Sequence, residues 1–477
     1  FRIGRLAMHP SDSNILLAAT NQGMYQTLDG GVSWTQVLTD GNNFKEVLYK
    51  PGTPNIVYCT SRSDNFYRST DGGANWTQIT SGLPTTGATR MAIAVTPANS
   101  EYVYALVGAS DNGFLGLYRS TDSGLNFTEM SNATEINLMG WSTNGSGSGG
   151  QAWYDLCIAA DPLNADVIYT GGVNVYKSSN GGDTWNLSGH WYGGGGADYV
   201  HADNHGMMFI PGTSTLLIGN DGGVFRTTDG GNNYSDLSAN LEISQQYRLG
   251  ISTLNQSQVL TGWQDNGTNY KNGAAWNRPI GGDGFECIID HTNNNTAYGA
   301  LYYGQIFKTT SGAGGGFSTI LNSGGAGEHE NGAWLTPYIM NPNDNQTLYV
   351  GKTGVHISAD GGASWSVGPQ LDGGSTLDAL AVAPSNANYI YTSESGGLWR
   401  STDAGVSYTQ LTGLTGGYIT YIAIDPQDEE RLWITYSGFG SAAKCYASTD
   451  GGNTWSDYST GLPDIPANTI VYQAGTL

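Results

Sequence analysis

Basic residues are scarce: 18 Lys and Arg stand against 40 Asp and Glu, giving a formal charge of −22. Such a chain repels phosphate backbones and anionic lipid surfaces, which excludes nucleic acid as a partner. Long apolar runs are also missing. None approaches the roughly 20 residues of a membrane helix, so no membrane span is expected. The four cysteines, Cys59, Cys157, Cys287 and Cys445, lie far apart without metal-ligand spacing, and three sit in strand-like runs. They read as buried thiols, with a disulfide left open in an oxidising compartment. No phosphate-binding loop is present, because the glycines at 193–196 are not followed by a Lys and a helical pattern. A start at Phe1, without a charged leader, suggests a chain processed or trimmed at both ends.

What the chain has is glycine and aromatic residues, with 71 Gly, 29 Tyr and 13 Trp. This turn-rich, strand-forming composition predicts an all-β protein. One pattern, SxDxGxxW, recurs at residues 27–34, 69–76, 120–127, 178–185, 227–234, 358–365, 401–408 and 448–455. Each copy follows a short alternating run such as GMYQT or GLWRS, so the local reading is strand, turn, strand. The Ser/Thr and Asp side chains accept bonds from turn amides, and Gly supplies the positive φ of a tight hairpin. The third positions at 29, 71, 122, 180 and 229 are 42, 51, 58 and 49 residues apart, a propeller-sized period. The 131-residue gap from Asp229 to Asp360 leaves room for two worn copies, near 272–276 and 309–317. Upstream of the turns a strand, Pro, turn, strand element repeats, as in LAMHPSDSNILLAAT and IAIDPQDEERLWITY. Each repeat therefore reads as a four-stranded meander, A to D, with the box between C and D.

These two elements together resemble the Asp-box (BNR) repeat superfamily, which includes sialidases, the sortilin ectodomain and tandem-propeller xyloglucanases. The resemblance implies a β-propeller of about ten four-stranded blades. We expect parts of two tandem seven-bladed propellers, residues 1–242 and 243–477 with five blades each, the alternative being one ten-bladed ring. It does not imply sialidase activity, which needs three clustered arginines to hold a carboxylate, whereas the basic residues here are scattered and mostly in strand C. The box is a structural turn, on the rim away from the ligand face.

In a meander the D-to-A link and the B-to-C turn share the opposite face, and three adjacent blades depart from the repeat there. Before the fifth strand A stands HADNH, whose His201, Asp203 and His205 are expected on one side of an extended segment. They are candidate ligands of a divalent metal ion, the only cofactor suggested, or else a hydrogen-bonded cluster. The following turn, GNDGGVF, carries Asp221. The sixth blade has WQDNG with Trp263, Gln264 and Asp265, and the seventh strand A is preceded by GGDGFE with Asp283 and Glu286. Asp221, Asp265 and Asp283 are candidate catalytic acids, paired across a glycosidic bond, or else turn-forming aspartates. GNDGGVFR is similar to the DxGGxYR turn that carries a catalytic Asp in xyloglucanases, and GGDGFE loosely resembles their second motif. Trp263, Gln264 and Glu286 are candidate ligand contacts. So are Trp141, Trp153, Tyr154, Trp191 and Tyr192, in inserts at 138–154 and 190–196 that suit carbohydrate stacking, although aromatic loops also bind proteins. Two functions follow: a secreted propeller that binds or cleaves a β-glucan or xyloglucan-type polysaccharide, or a non-catalytic adhesion propeller for a cell-surface protein or glycan.

Overall fold

Alternating apolar and polar residues, broken by glycine turns, leave this chain little option but short hairpins. The computed structural model describes residues 1–39, 43–62, 65–371, 373–415, 417–440 and 443–472. Among them the regular structure is strand, apart from two single-turn 3-10 helices. The strands form ten sheets, at residues 3–38, 44–79, 88–132, 157–199, 204–236, 246–280, 287–321, 338–358, 377–411 and 419–457. Eight are four-stranded antiparallel meanders in sequence order, the blades expected of a propeller. The fourth sheet gains a fifth strand, Asp198–Tyr199, parallel to Asn186–His190. The eighth keeps three strands, and isolated bridges from Ile357 to Ser366 and Gly354 to Gln370 stand in for the fourth. Pro369, which has no N–H to donate, interrupts the ladder there.

The chain divides into two compact units, Phe1–Ile243 and Ser244–Leu477. In the first unit the innermost strands pack in order, Ile3–His9 on Phe44–Tyr49, then Ala88–Val95, Cys157–Ala160 and Asn204–Phe209. In the second, Gln246–Ile251 packs on Cys287–Ile289, and Leu377–Val382 packs on both Tyr338–Asn341 and Ile419–Asp425. The core lies between neighbouring blades. Tyr58 and Phe66 of one blade, for example, meet Met91, Val103, Tyr118 and the box aromatic Phe127 of the next. Trp76, Trp185, Trp365, Tyr408 and Trp455 are placed in the same way, whereas Trp34 in the first blade stays 40% exposed. All four cysteines are buried free thiols.

The box turns show why their residue types are fixed. Ser358 Oγ donates to Asp360 Oδ1 at 2.8 Å and accepts from Gly362 N at 2.8 Å, while Asp360 accepts from Ser364 N at 2.9 Å and Ser364 Oγ at 2.6 Å. Gly361 and Gly362 carry φ of 68° and 91°, which only glycine adopts without strain. Asn180 replaces Asp in the fourth blade and makes the same bonds. In the worn copy at 309–317, Ser311 N still donates to Thr309 Oγ1. In the other, Asn272 and Ala275 simply face each other across a tight hairpin.

In five blades the residue immediately before the box ties its blade to the successor. Gln26 donates to Gly72 O (3.0 Å), Arg68 to Ser123 O (2.8 Å), Lys177 to Gly230 O (2.8 Å), Lys308 to Gly361 O (2.7 Å) and Arg400 to Gly451 O (2.8 Å). Every acceptor is the fourth residue of the next box. These inter-blade staples explain why the scarce basic residues gather in strand C. Arg119 instead reaches Asp166 of the next blade, and Arg226 Nε, in the last blade of the first unit, is buried without a hydrogen-bond partner among the described residues.

Candidate functional site

In the first unit the site is built from links into innermost strands and from one B-to-C turn. Asp221 begins the turn between strands Leu216–Asn220 and Gly223–Thr227. Its Oδ1 lies 2.8 Å from His205 Nε2, and its Oδ2 accepts the Tyr154 hydroxyl at 2.8 Å. Burial pushes the Asp221 pKa up, but the bonds from His205 and Tyr154 outweigh it and hold the carboxyl below its ordinary value. Tyr154 meets the His205 ring edge-on at 4.7 Å and packs at 5.3 Å against Trp153, which is 54% exposed. Arg90 fixes this stretch, donating from Nη1 to the carbonyls of Tyr154 (2.7 Å), Trp153 (3.3 Å) and Ala152 (3.4 Å).

The segment around His201 differs from the extended run expected. The chain bends at Ala202, Asp203 takes φ 62°, and strand Asn204–Phe209 begins only afterwards, so the alternation that would have aligned the three side chains is broken. Buried Asn204 and half-buried Asn220 fasten the bend, donating to Gly172 O at 2.7 Å and His201 O at 3.0 Å. His201 Nδ1 lies 3.2 Å from the Ala202 carbonyl, while Asp203 accepts Gln151 Nε2 at 2.6 Å. Of the proposed donors, His205 is thus already paired with Asp221. Asp203 and Asp221 offer carboxylate oxygens within 4.8 Å of each other. Burial, then the Asp221 charge, pushes the Asp203 pKa up. Behind it sits Asp155, fully buried with neither oxygen in hydrogen-bond geometry. Burial and the nearby Asp203 push its carboxyl up to about 9.

The inserts form a second aromatic group. Trp141 (52% exposed) meets Trp191 edge-on at 6.2 Å, and Trp191 meets Tyr192 at 4.7 Å. Buried His190 organises the turn, with Nδ1 accepting from Tyr192 N at 3.3 Å and Gly194 N at 3.1 Å.

Asp265, Asp283 and Glu286 belong to the second unit. Asp265 takes φ 59° and donates its N–H to Asp283 Oδ1 at 2.7 Å, so Asp283 shapes the WQDNG turn. Gln264 Oε1 accepts the Tyr247 hydroxyl at 2.7 Å, and Trp263 packs against Trp276 at 5.6 Å. Glu286 is held by Arg248 at 2.8 Å, whose guanidinium also lies over Tyr421. Burial raises the Glu286 pKa and Arg248 pulls it back. Arg90, Gln151, Asp155 and His190 went unrecognised in the sequence: Gln151 and His190 lie in the inserts at 138–154 and 190–196, where only the aromatic residues were singled out, and Arg90 and Asp155 stand at positions that do not depart from the repeat.

Residues 22–156 match the family profile described as Sortilin, neurotensin receptor 3 (Sortilin-Vps10). That match falls on blades whose boxes and meanders are now in view. The boxes, the blades and this match support an Asp-box (BNR) repeat β-propeller superfamily. The chain is 31% identical over 136 residues to a xyloglucanase of Hypocrea jecorina (strain QM6a), covering 28% of this chain and 16% of that protein. It is 26% identical over 182 residues to a xyloglucanase of Paenibacillus sp, covering 38% and 16%. The chain thus spans about a sixth of the length of these curated relatives. Among solved structures, a GH74 enzyme from Niastella koreensis aligns over 95% of this Asp-box chain and 78% of its own, at 17% identity and TM-score 0.38, too low to add to the case.

Proposed function

We propose that this Asp-box protein is an extracellular propeller that binds a β-glucan or xyloglucan-type polysaccharide and acts on it as a glycoside hydrolase. One observation carries the reading: exposed Trp153 packs on Tyr154, whose hydroxyl is bonded to Asp221, so a ring suited to a pyranose face and a carboxylate kept anionic are joined in one contact chain. Such a carboxylate suits the base or nucleophile, and the proton donor must be a carboxyl with a raised pKa. Asp203 has that property in the same unit. The matched xyloglucanases support the polysaccharide class.

A second reading is favoured by the same geometry, since both Asp221 oxygens already have partners and a non-catalytic lectin-like role would leave them so. Release of reducing ends from soluble xyloglucan and mixed-linkage β-glucan separates the two. Hydrolysis is expected, lost by at least about a hundredfold in Asp221→Asn and in Asp203→Asn. Binding without hydrolysis selects the adhesion reading, and neither binding nor hydrolysis discards both.

A further inference from the structure

The second unit carries partly exposed aromatic rings, Trp334 and Tyr303, beside the buried Phe285 that Trp334 meets edge-on at 5.6 Å. Between strands Ser318–Leu321 and Tyr338–Asn341 the chain inserts residues 322–337, at the link into an innermost strand. Trp334, 44% exposed, lies parallel to Tyr302 at 5.3 Å and 13° and meets Tyr303 edge-on at 5.4 Å. Its Nε1 donates to the Tyr247 hydroxyl at 3.4 Å, which in turn donates to Gln264. Tyr303, 40% exposed, holds φ 62°, a left-handed conformation that a bulky aromatic seldom adopts. Strain of that kind collects where a ligand is gripped.

The insert is also tied down. Lys352, with no exposure, donates to the carbonyls of Asn322 (3.1 Å), Glu328 (2.9 Å) and Glu330 (2.7 Å). Glu330 Oε1 accepts from Thr353 N at 3.0 Å and Thr353 Oγ1 at 2.7 Å, and Gly332 N donates to Tyr303 O at 3.0 Å. Burying an ammonium is costly, and a surface link needs no such anchor for stability alone. What the anchor secures is the placement of Trp334.

We propose that Trp334 and Tyr303 form a sugar-stacking subsite of the second unit, taking the apolar face of a neutral β-linked pyranose, with Gln264 as its polar neighbour and Lys352 as a positioning residue. The proposal rests on the polysaccharide reading above. A neutral sugar is specified because a chain of charge −22 repels uronate polymers.

Affinity electrophoresis of the full chain in gels containing xyloglucan or mixed-linkage β-glucan tests it. Trp334→Ala is expected to weaken retardation about tenfold, while Trp334→Phe, which keeps a stacking face, keeps most of it. Lys352→Met is expected to weaken binding in the native background and to add nothing to Trp334→Ala, because it acts only through that ring. An additive loss would overturn the positioning role. If Trp334→Ala and Trp334→Phe, with native melting temperatures, bind as the parent does while Trp153→Ala weakens binding, the subsite is overturned and the polysaccharide reading stands. If the parent itself is not retarded by either glycan, both fall together.

Discussion

Asp155 places a carboxyl where water does not reach, beside a second carboxyl and behind a third. Its pKa in the folded chain is about 9, against an ordinary value of 3.8. Between those values the native state binds more protons than the unfolded chain, so stability is expected to fall as pH rises from about 4 to about 9, by up to about 1.4 kcal/mol per pH unit. Asp155→Asn should flatten that dependence and be the more stable protein at pH 8. Urea unfolding at pH 5, 7 and 9 measures both, and parallel profiles for the parent and the variant would refute the assignment. Asp221 was legible in the sequence because its turn breaks the repeat. Asp155 was not, because its setting comes from Asp203 in the next blade and from Arg90 in the preceding one, neither of which its own neighbours reveal. The same holds for Trp334, whose anchor Lys352 lies 18 positions away across a strand pair.

At the scale of the element, the boxes were readable because turn chemistry dictates particular side chains at fixed offsets. The staples were not, since their acceptors are carbonyls that any residue supplies. Only the donor, one place before the box, leaves a trace in the sequence. A charged donor on a carbonyl contributes about 1–2 kcal/mol net. Arg68→Ala and Arg400→Ala should therefore each lower the melting temperature by a few degrees, while Arg226→Ala, whose Nε has no partner, should leave it within about a degree. Calorimetry distinguishes the two classes, and equal losses at all three positions would contradict the staple. The departures from four strands also have local causes: Pro369 starves the eighth sheet of a donor, and the glycines at 193–196 let the chain turn back to add Asp198–Tyr199 to the fourth.

Across the whole molecule the acidic excess dominates. Four of the five staples join cations to carbonyls instead of carboxylates, so salt has no ion pair to screen in them and, across the chain, much like-charge repulsion to relieve. The melting temperature should rise between 0.02 and roughly 0.5 M sodium chloride, where the Debye length shrinks from tens of ångströms to a few. Affinity for a neutral glycan should stay constant over the same range; a steep loss would point to an ionic partner. The ten sheets were expected from the period, because eight boxes set a spacing of 42 to 58 residues and the 131-residue gap between two of them leaves room for two more.

The staples also set an order in time. Each runs from an earlier blade to a later one, across 46 to 55 residues in every case. During synthesis, at roughly 5–20 residues per second, a blade has its donor in place seconds before the acceptor leaves the ribosome. Growth is therefore templated in one direction, each finished edge receiving the next blade, and no staple closes a loop larger than about one repeat. A translation error in one blade would leave the earlier blades fully joined.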